Sequence, residues 1–325
     1  MASMITMFLQ SAYSMIDGLF VSNLIGDTAL SAVNVAWPII AVVTAIGTGV
    51  GCGGAVMMST KQGEGKNEES NIVRANVILA LLASSIVVTI LFLILLTPLL
   101  KLMGAEGELL RLSQIYGRVM LTGGVLQILS CGLTPLLRND NRAVSAMMIM
   151  VGGLFANLGL DFVFMYVFHM GIGGAAGASL CAQLFTTVCC LMILCTKKTD
   201  PIHLSQFMIR KEYWKKIFKT AVSPFGISLT PSLLILYHNV ACLKFGGDLA
   251  VNAYALISST VGSYRVLLIG VAEGIQPLAS YAYGAHDFHA IRKIRNKAVI
   301  TAMGVSFFLF IFTIATARFY PAIYG

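Results

Sequence analysis

Three acidic side chains lie inside stretches of this sequence that are otherwise apolar, and chemistry would be concentrated there. Asp17 sits in Tyr13-Ser-Met-Ile-Asp-Gly18, Asp161 closes Asn157-Leu-Gly-Leu-Asp161, and Glu273 stands just before Gln276-Pro277. A helix presents residues four apart on one face, so Asn157 and Asp161 share a polar stripe. A carboxylate surrounded by hydrocarbon costs several kcal/mol unless it is neutralised, hydrated or paired. Burial and a second acid nearby both make a carboxyl group hold its proton more tightly. Acids in one chamber can therefore take up a proton or a sodium ion and release it when the chamber opens to water. Each acid also has a plainer reading. Asp17 lies near one end of its stretch, where water could hydrate it, and the Asn157–Asp161 stripe could be structural. Glu273 could be tied to Arg265, two turns away on the same helix, and Arg118 would snorkel or neutralise a carboxylate.

The elements that position these groups follow from composition. Apolar residues make up 57% of the 325 residues and charged ones only 11%, too little polar surface to cover a soluble core of this size. Lipid removes that requirement. At roughly 20 residues per crossing, the chain has room for about nine helical spans. We place them at 3–24, 31–59, 72–98, 111–137, 143–168, 175–196, 220–244, 250–283 and 298–317. Pro38, Pro135, Pro224, Pro231 and Pro277 fall inside spans and predict kinks. Gly47, Gly49, Gly51, Gly53 and Gly54 sit in a long apolar run with no strand before it and no Lys-Ser/Thr after it. They predict close helix packing rather than a phosphate loop.

The net charge of +8 does not mark a nucleic-acid groove, because of where the cations sit. They cluster at Lys61, Lys66 and Arg74, at Arg138 and Arg142, from Lys197 to Lys219, and from Arg292 to Lys297. The intervening loops hold little beyond Lys101, Arg111, Lys244 and Arg318. That alternation puts the four basic segments in the cytoplasm. The amphipathic run Arg210–Lys219, with Tyr213, Trp214 and Phe218, is expected to lie on the anionic leaflet. The seven cysteines all fall in apolar segments without a CxxC pair and read as small packing residues.

A shift of 221 positions aligns the second span with the eighth without a gap. Gly26-Asp27 falls on Gly247-Asp248, Gly49-Val50 on Gly270-Val271, Ser59 on Ser280 and Gly63 on Gly284. Six spans separate the two copies, an even number, so both point the same way. Such a parallel repeat relates two lobes by an axis along the membrane normal. We expect an all-α, two-lobe bundle: a six-helix lobe at 1–196, a basic cytoplasmic linker at 197–219 and a three-helix lobe at 220–325. The second copy stops after its third helix, so three further helices are expected beyond it.

With these motifs in order, the sequence resembles the multidrug and toxic compound extrusion (MATE) family, in particular its MepA-like and DNA-damage-inducible branches. The resemblance rests on Tyr13–Val21, Gly26–Ala32 with Trp37-Pro38, and Leu137-Arg-Asn-Asp140. It continues through Asn157–Asp161, Gly174-Ala-Ala-Gly-Ala-Ser179, Gly274-Ile-Gln-Pro277 and Tyr283-Gly-Ala285. It implies a V-shaped pair of six-helix lobes that exports cationic or amphipathic organic compounds in exchange for H+ or Na+. It also implies a cation site formed by Asp17, Asn157 and Asp161, with Ser179 where relatives carry a threonine. Glu273 stands where glutamine is often expected, and either marks a second ionisable site, with Arg265, or is only a feature of a subgroup. Tyr13, Phe20, Tyr237, Tyr254 and Gln276 would line an acidic chamber suited to lipophilic cations. Ion uptake would bend or shift the first helix near Gly18. No cofactor, no metal beyond Na+ and no nucleic-acid partner is expected; the resemblance implies a monomer in the bacterial inner membrane.

Two other readings compete with this one. A lipid-linked oligosaccharide flippase would hold pyrophosphate with several intramembrane cations, whereas only Arg118 and Arg265 fall inside spans here. A membrane enzyme would need a catalytic motif within a span. The His286-Asp287-His289 cluster lies instead in a basic loop.

Overall fold

The protein is described from a computed structural model. The structure describes Leu9 and residues 27–195, 206–207 and 209–316. Among these residues every regular element is helical. We label the helices α1 (Asp27–Gly63), α2 (Asn67–Leu102), α3 (Gly107–Thr122), α4 (Gly124–Asn139), α5 (Ala143–Asp161), α6 (Gly171–Cys195), α7 (Lys211–Gly284) and α8 (Phe288–Thr316), with a π-helical turn at Phe162–Val167.

Among the described residues five helices are long and apolar enough to cross a bilayer, or up to six when the bent pair α3–α4 is counted as one span. Large apolar side chains cover the outside. Ile86, Val87, Ile90 and Ile94 on α2 and Ile300, Met303, Phe307 and Phe308 on α8 are all exposed. On a water-soluble protein such faces would be a liability; in a bilayer they meet lipid.

Helix α1 is the centre of the packing, and its glycines explain how. Residues two apart on a helix point about 200° from each other, whereas residues four apart nearly eclipse. Gly47 and Gly51 therefore share one face, and both meet the backbone of α4 at Ile128 and Gly132. Gly49 and Gly53 share the opposing face and meet Phe225 and Ala221 of α7. Gly54 lies against Val77 of α2. Thus α1 is clasped on one side by α2, α3 and α4 and on the other by α7.

Helix α7 carries both the seventh and the eighth expected spans within one helical element. Helical backbone runs unbroken through 74 residues, which as a straight rod would measure about 110 Å. It cannot be straight. The rings of His238 and Tyr254 stack with centroids 5.0 Å apart, yet 16 residues along a helix rise about 24 Å. Ala221 near one end and Tyr281 near the other also both reach α1. The element doubles back between His238 and Tyr254 to form two arms. Helix α8 packs along α7, where Thr313 Oγ1 donates to the Tyr264 hydroxyl at 2.9 Å.

The fourth expected span is not one helix. It breaks at Gly123, and α3 and α4 meet at 57°. Two adjacent glycines allow this: a Cβ on Gly123 would collide with Leu180, and one on Gly124 with Thr89. The fully buried Gln127 side chain donates to the Met120 carbonyl beside the break.

The predicted linker changes character as well. Residues 211–219 are the first turns of α7, with Tyr213 and Ile217 buried in the core. Ile217 of this run packs against Gly53 of α1, while Phe218, Lys211, Lys215, Lys216 and Lys219 stay exposed.

Candidate functional site

The buried residues of α5 form a single stripe, Ala146, Ile149, Gly153, Asn157 and Asp161, at helical spacing. Its first three members are apolar and its last two polar. Asn157 is 6% exposed and Asp161 0%. Asn157 Nδ2 donates to Asp161 Oδ2 at 3.1 Å. The acid thus faces the protein interior and not lipid; the lipid face of α5 is taken by Val144, Met148 and Phe155. Directly after Asp161 the backbone widens into the π-helical turn Phe162–Val167. Such turns unbalance regular hydrogen bonding and often sit at functional positions.

Helix α6 runs antiparallel to α5. A Cβ on Gly153 would lie 2.7 Å from Thr186 Oγ1, and one on Gly174 would lie 3.2 Å from the Phe164 carbonyl oxygen. Facing residue numbers therefore sum to about 338 along this pair. Ser179 falls level with residue 159, midway between Asn157 and Asp161. Three of the four predicted cation ligands thus occupy one depth on two packed helices. Asp17, with the chamber candidates Tyr13 and Phe20, lies outside the described residues.

Glu273 does not pair with Arg265. Residues eight apart on one helix are separated by about 12 Å of rise, and the Glu273 carboxylate instead accepts from Arg138 Nη1 at the end of α4. Both side chains are largely buried, at 20% and 8% exposure. Arg265 is exposed, as is Arg118. Gln276, half-buried, is one turn beyond Glu273. Tyr237 and Tyr254 come together near the reversal of α7, both against His238. Tyr237 is 70% exposed.

The structure adds a network that composition did not single out. Arg74 and Asp140, each 1% exposed, pair at 3.4 Å. Gln62 Nε2 donates to the other Asp140 oxygen at 3.1 Å, and Arg74 Nη2 donates to Asn71 Oδ1 at 2.8 Å. The backbone N–H of Arg210 donates to Asn76 Oδ1 at 3.1 Å. Three of the four basic segments are thereby gathered at one end of the bundle. The fourth joins them where Gly284 meets Thr60. In the loop between α1 and α2, Lys61 and then Lys66 hold the Glu64 carboxyl below its usual range. The His286-Asp287-His289 cluster is a helix start: Asp287 Oδ1 accepts from the Ala290 N–H at 2.8 Å, capping α8.

The sequence profile described as MatE matches residues 2–163 and 227–325. The chain belongs to the MatE family. The match covers both the bundle with Asn157 and Asp161 and the α7 arms with Glu273. Multidrug export protein MepA of Staphylococcus aureus (strain N315) is 25% identical over 310 residues, 94% of this chain and 67% of the relative. This MatE chain therefore spans about two thirds of that relative's length. Among solved structures, a MATE protein in complex with MaD3S superposes with a TM-score of 0.94 at 25% identity, covering 100% of this chain and 73% of that one. A MOP superfamily transporter from Pyrococcus furiosus, described as having a binding pocket of reverse polarity, gives 0.93 at 25% identity, covering 99% and 72%. The fold is thus that of a multi-pass transporter, with the MATE arrangement of helices.

Proposed function

We propose that this MatE chain exports cationic or amphipathic organic compounds in exchange for H+ or Na+, by alternating access between two lobes. The observation that carries the reading is the buried Asn157–Asp161 pair with Ser179 at the same depth. A fully buried acid held by an amide can bind a small cation and give it up when water enters. The relatives named for multidrug export supply the substrate class. The tyrosines beside the α7 reversal offer aromatic faces that attract organic cations. The flippase reading loses support, because the buried Arg138 is already neutralised by Glu273. We assign the chain to the bacterial inner membrane, acting as a monomer with its four basic segments in the cytoplasm.

The test is ethidium efflux from proteoliposomes under an imposed proton or sodium gradient. Asp161→Asn and Asp17→Asn should each abolish gradient-driven efflux while leaving the purified protein monodisperse. Gradient-driven efflux retained in both variants would refute the assignment.

A further inference from the structure

The two copies of the internal repeat touch each other through equivalent residues. Gly63 meets the carbonyl oxygen of Tyr281, and Gly284 meets that of Thr60. Under the 221-residue shift Gly63 corresponds to Gly284 and Thr60 to Tyr281. Residue i therefore touches j while the counterpart of j touches the counterpart of i, the signature of a two-fold contact. The pseudo-two-fold axis passes through this seam, at the end where the basic segments gather. Ser59 Oγ adds a hydrogen bond to the Pro277 carbonyl at 3.1 Å.

These contacts close the cytoplasmic end, yet little in them resists opening. Glycine seams give up only van der Waals contact, and water can replace the Ser59 bond. The Arg138–Glu273 pair, deeper along the same seam, is different. It joins α4 of the first bundle to the second arm of α7, and both charges are shielded from water. Asp140, two residues from Arg138, is engaged by Arg74 and Gln62. Arg138 Nη1 donates to the Glu273 carboxylate, while its buried Nε has no hydrogen-bond partner among the described residues. Separating the halves gives up a charge–charge attraction that is less screened in this largely buried seam than in water, which parting two glycine surfaces does not.

The geometry points to Arg138 and Glu273 as an electrostatic latch that holds the cytoplasmic side closed and sets the balance between the two access states. This rests on the alternating-access reading above. The latch lies away from the Asn157–Asp161 site, so conformational balance and ion binding are set by different residues.

The test is the distance between spin labels at two exposed cytoplasmic positions, Asn67→Cys and His289→Cys, in a cysteine-free full chain in lipid nanodiscs. The parent should show a dominant short distance. Glu273→Gln and Arg138→Gln should each raise the long-distance population at least fivefold. The swap Arg138→Glu with Glu273→Arg should return it toward the parent, which a merely structural role would not predict. Unchanged populations in both single variants, or a swap as open as the singles, would overturn the latch. A chain that shows one distance under every condition would overturn the latch and alternating access together. Lost efflux with the predicted shift in populations would remove only the transport reading.

Discussion

Replacing Gly51 by alanine tests how α1 is held. A Cβ there would meet the backbone of Gly132 on α4, with the Gly132 carbonyl carbon 2.7 Å away. Real Cβ atoms do not approach so closely, and no flexible side chain can move aside, so the two helices must separate along the seam. Forcing a methyl group into a packed core costs about 1–3 kcal/mol. Alanine regains up to about 1 kcal/mol over glycine from helix propensity alone. The net expectation is a loss of about 1–2 kcal/mol. Gly304 on α8 is the internal control, because a Cβ there meets nothing within 4 Å. Gly304→Ala should keep or raise stability. The assay is thermal unfolding of purified protein, followed by the loss of the monodisperse peak in size-exclusion chromatography. Gly51→Ala should melt several degrees lower than Gly304→Ala. Equal melting of the two variants would refute the close α1–α4 contact.

Other outcomes follow from single contacts. Asp140→Ala leaves Arg74 buried without its carboxylate and should cost about 3–5 kcal/mol, seen as collapse of the folded yield, which Arg74→Met in the same chain should partly restore. Asp287→Ala removes the cap of α8 at a cost of about 1 kcal/mol, seen as faster amide exchange in its first turn with the rest unchanged. Ser179→Ala keeps the Asn157–Asp161 contact and loses about one hydrogen bond's worth, about 1 kcal/mol. The ion concentration for half-maximal efflux should rise roughly fivefold, without abolition.

Much of this was legible from local pattern. The spacing of Asn157 and Asp161 is a helical period, so their shared face needed no tertiary information, and the interior location followed from the cost of charge in lipid. The α1 glycines announced close packing, although which face met α4 and which met α7 depended on how the helices dock. The 221-residue repeat anticipated a pseudo-two-fold relation, and the reciprocal Gly63 and Gly284 contacts realise it. Long-range pairing was not legible. Arg138 reads as one more cytoplasmic cation, because nothing near it in sequence reveals that α7 brings Glu273 alongside. Arg265 looked the better partner only because it lies on the same helix. The break at Gly123 and the π-helical turn after Asp161 were also hidden. Both lie within continuous apolar runs, and hydropathy does not distinguish a bent or widened helix from a straight one.

The central claim is that a buried acid site exchanges a small cation against an organic one. It is tested most directly by adding tetraphenylphosphonium to purified protein in weakly buffered detergent and recording release of H+ with a pH dye and of Na+ with radiolabelled sodium. The account predicts that the substrate displaces one of these ions from the parent protein and none from Asp161→Asn. Binding of tetraphenylphosphonium without ion release, or equal release from the variant, would contradict it.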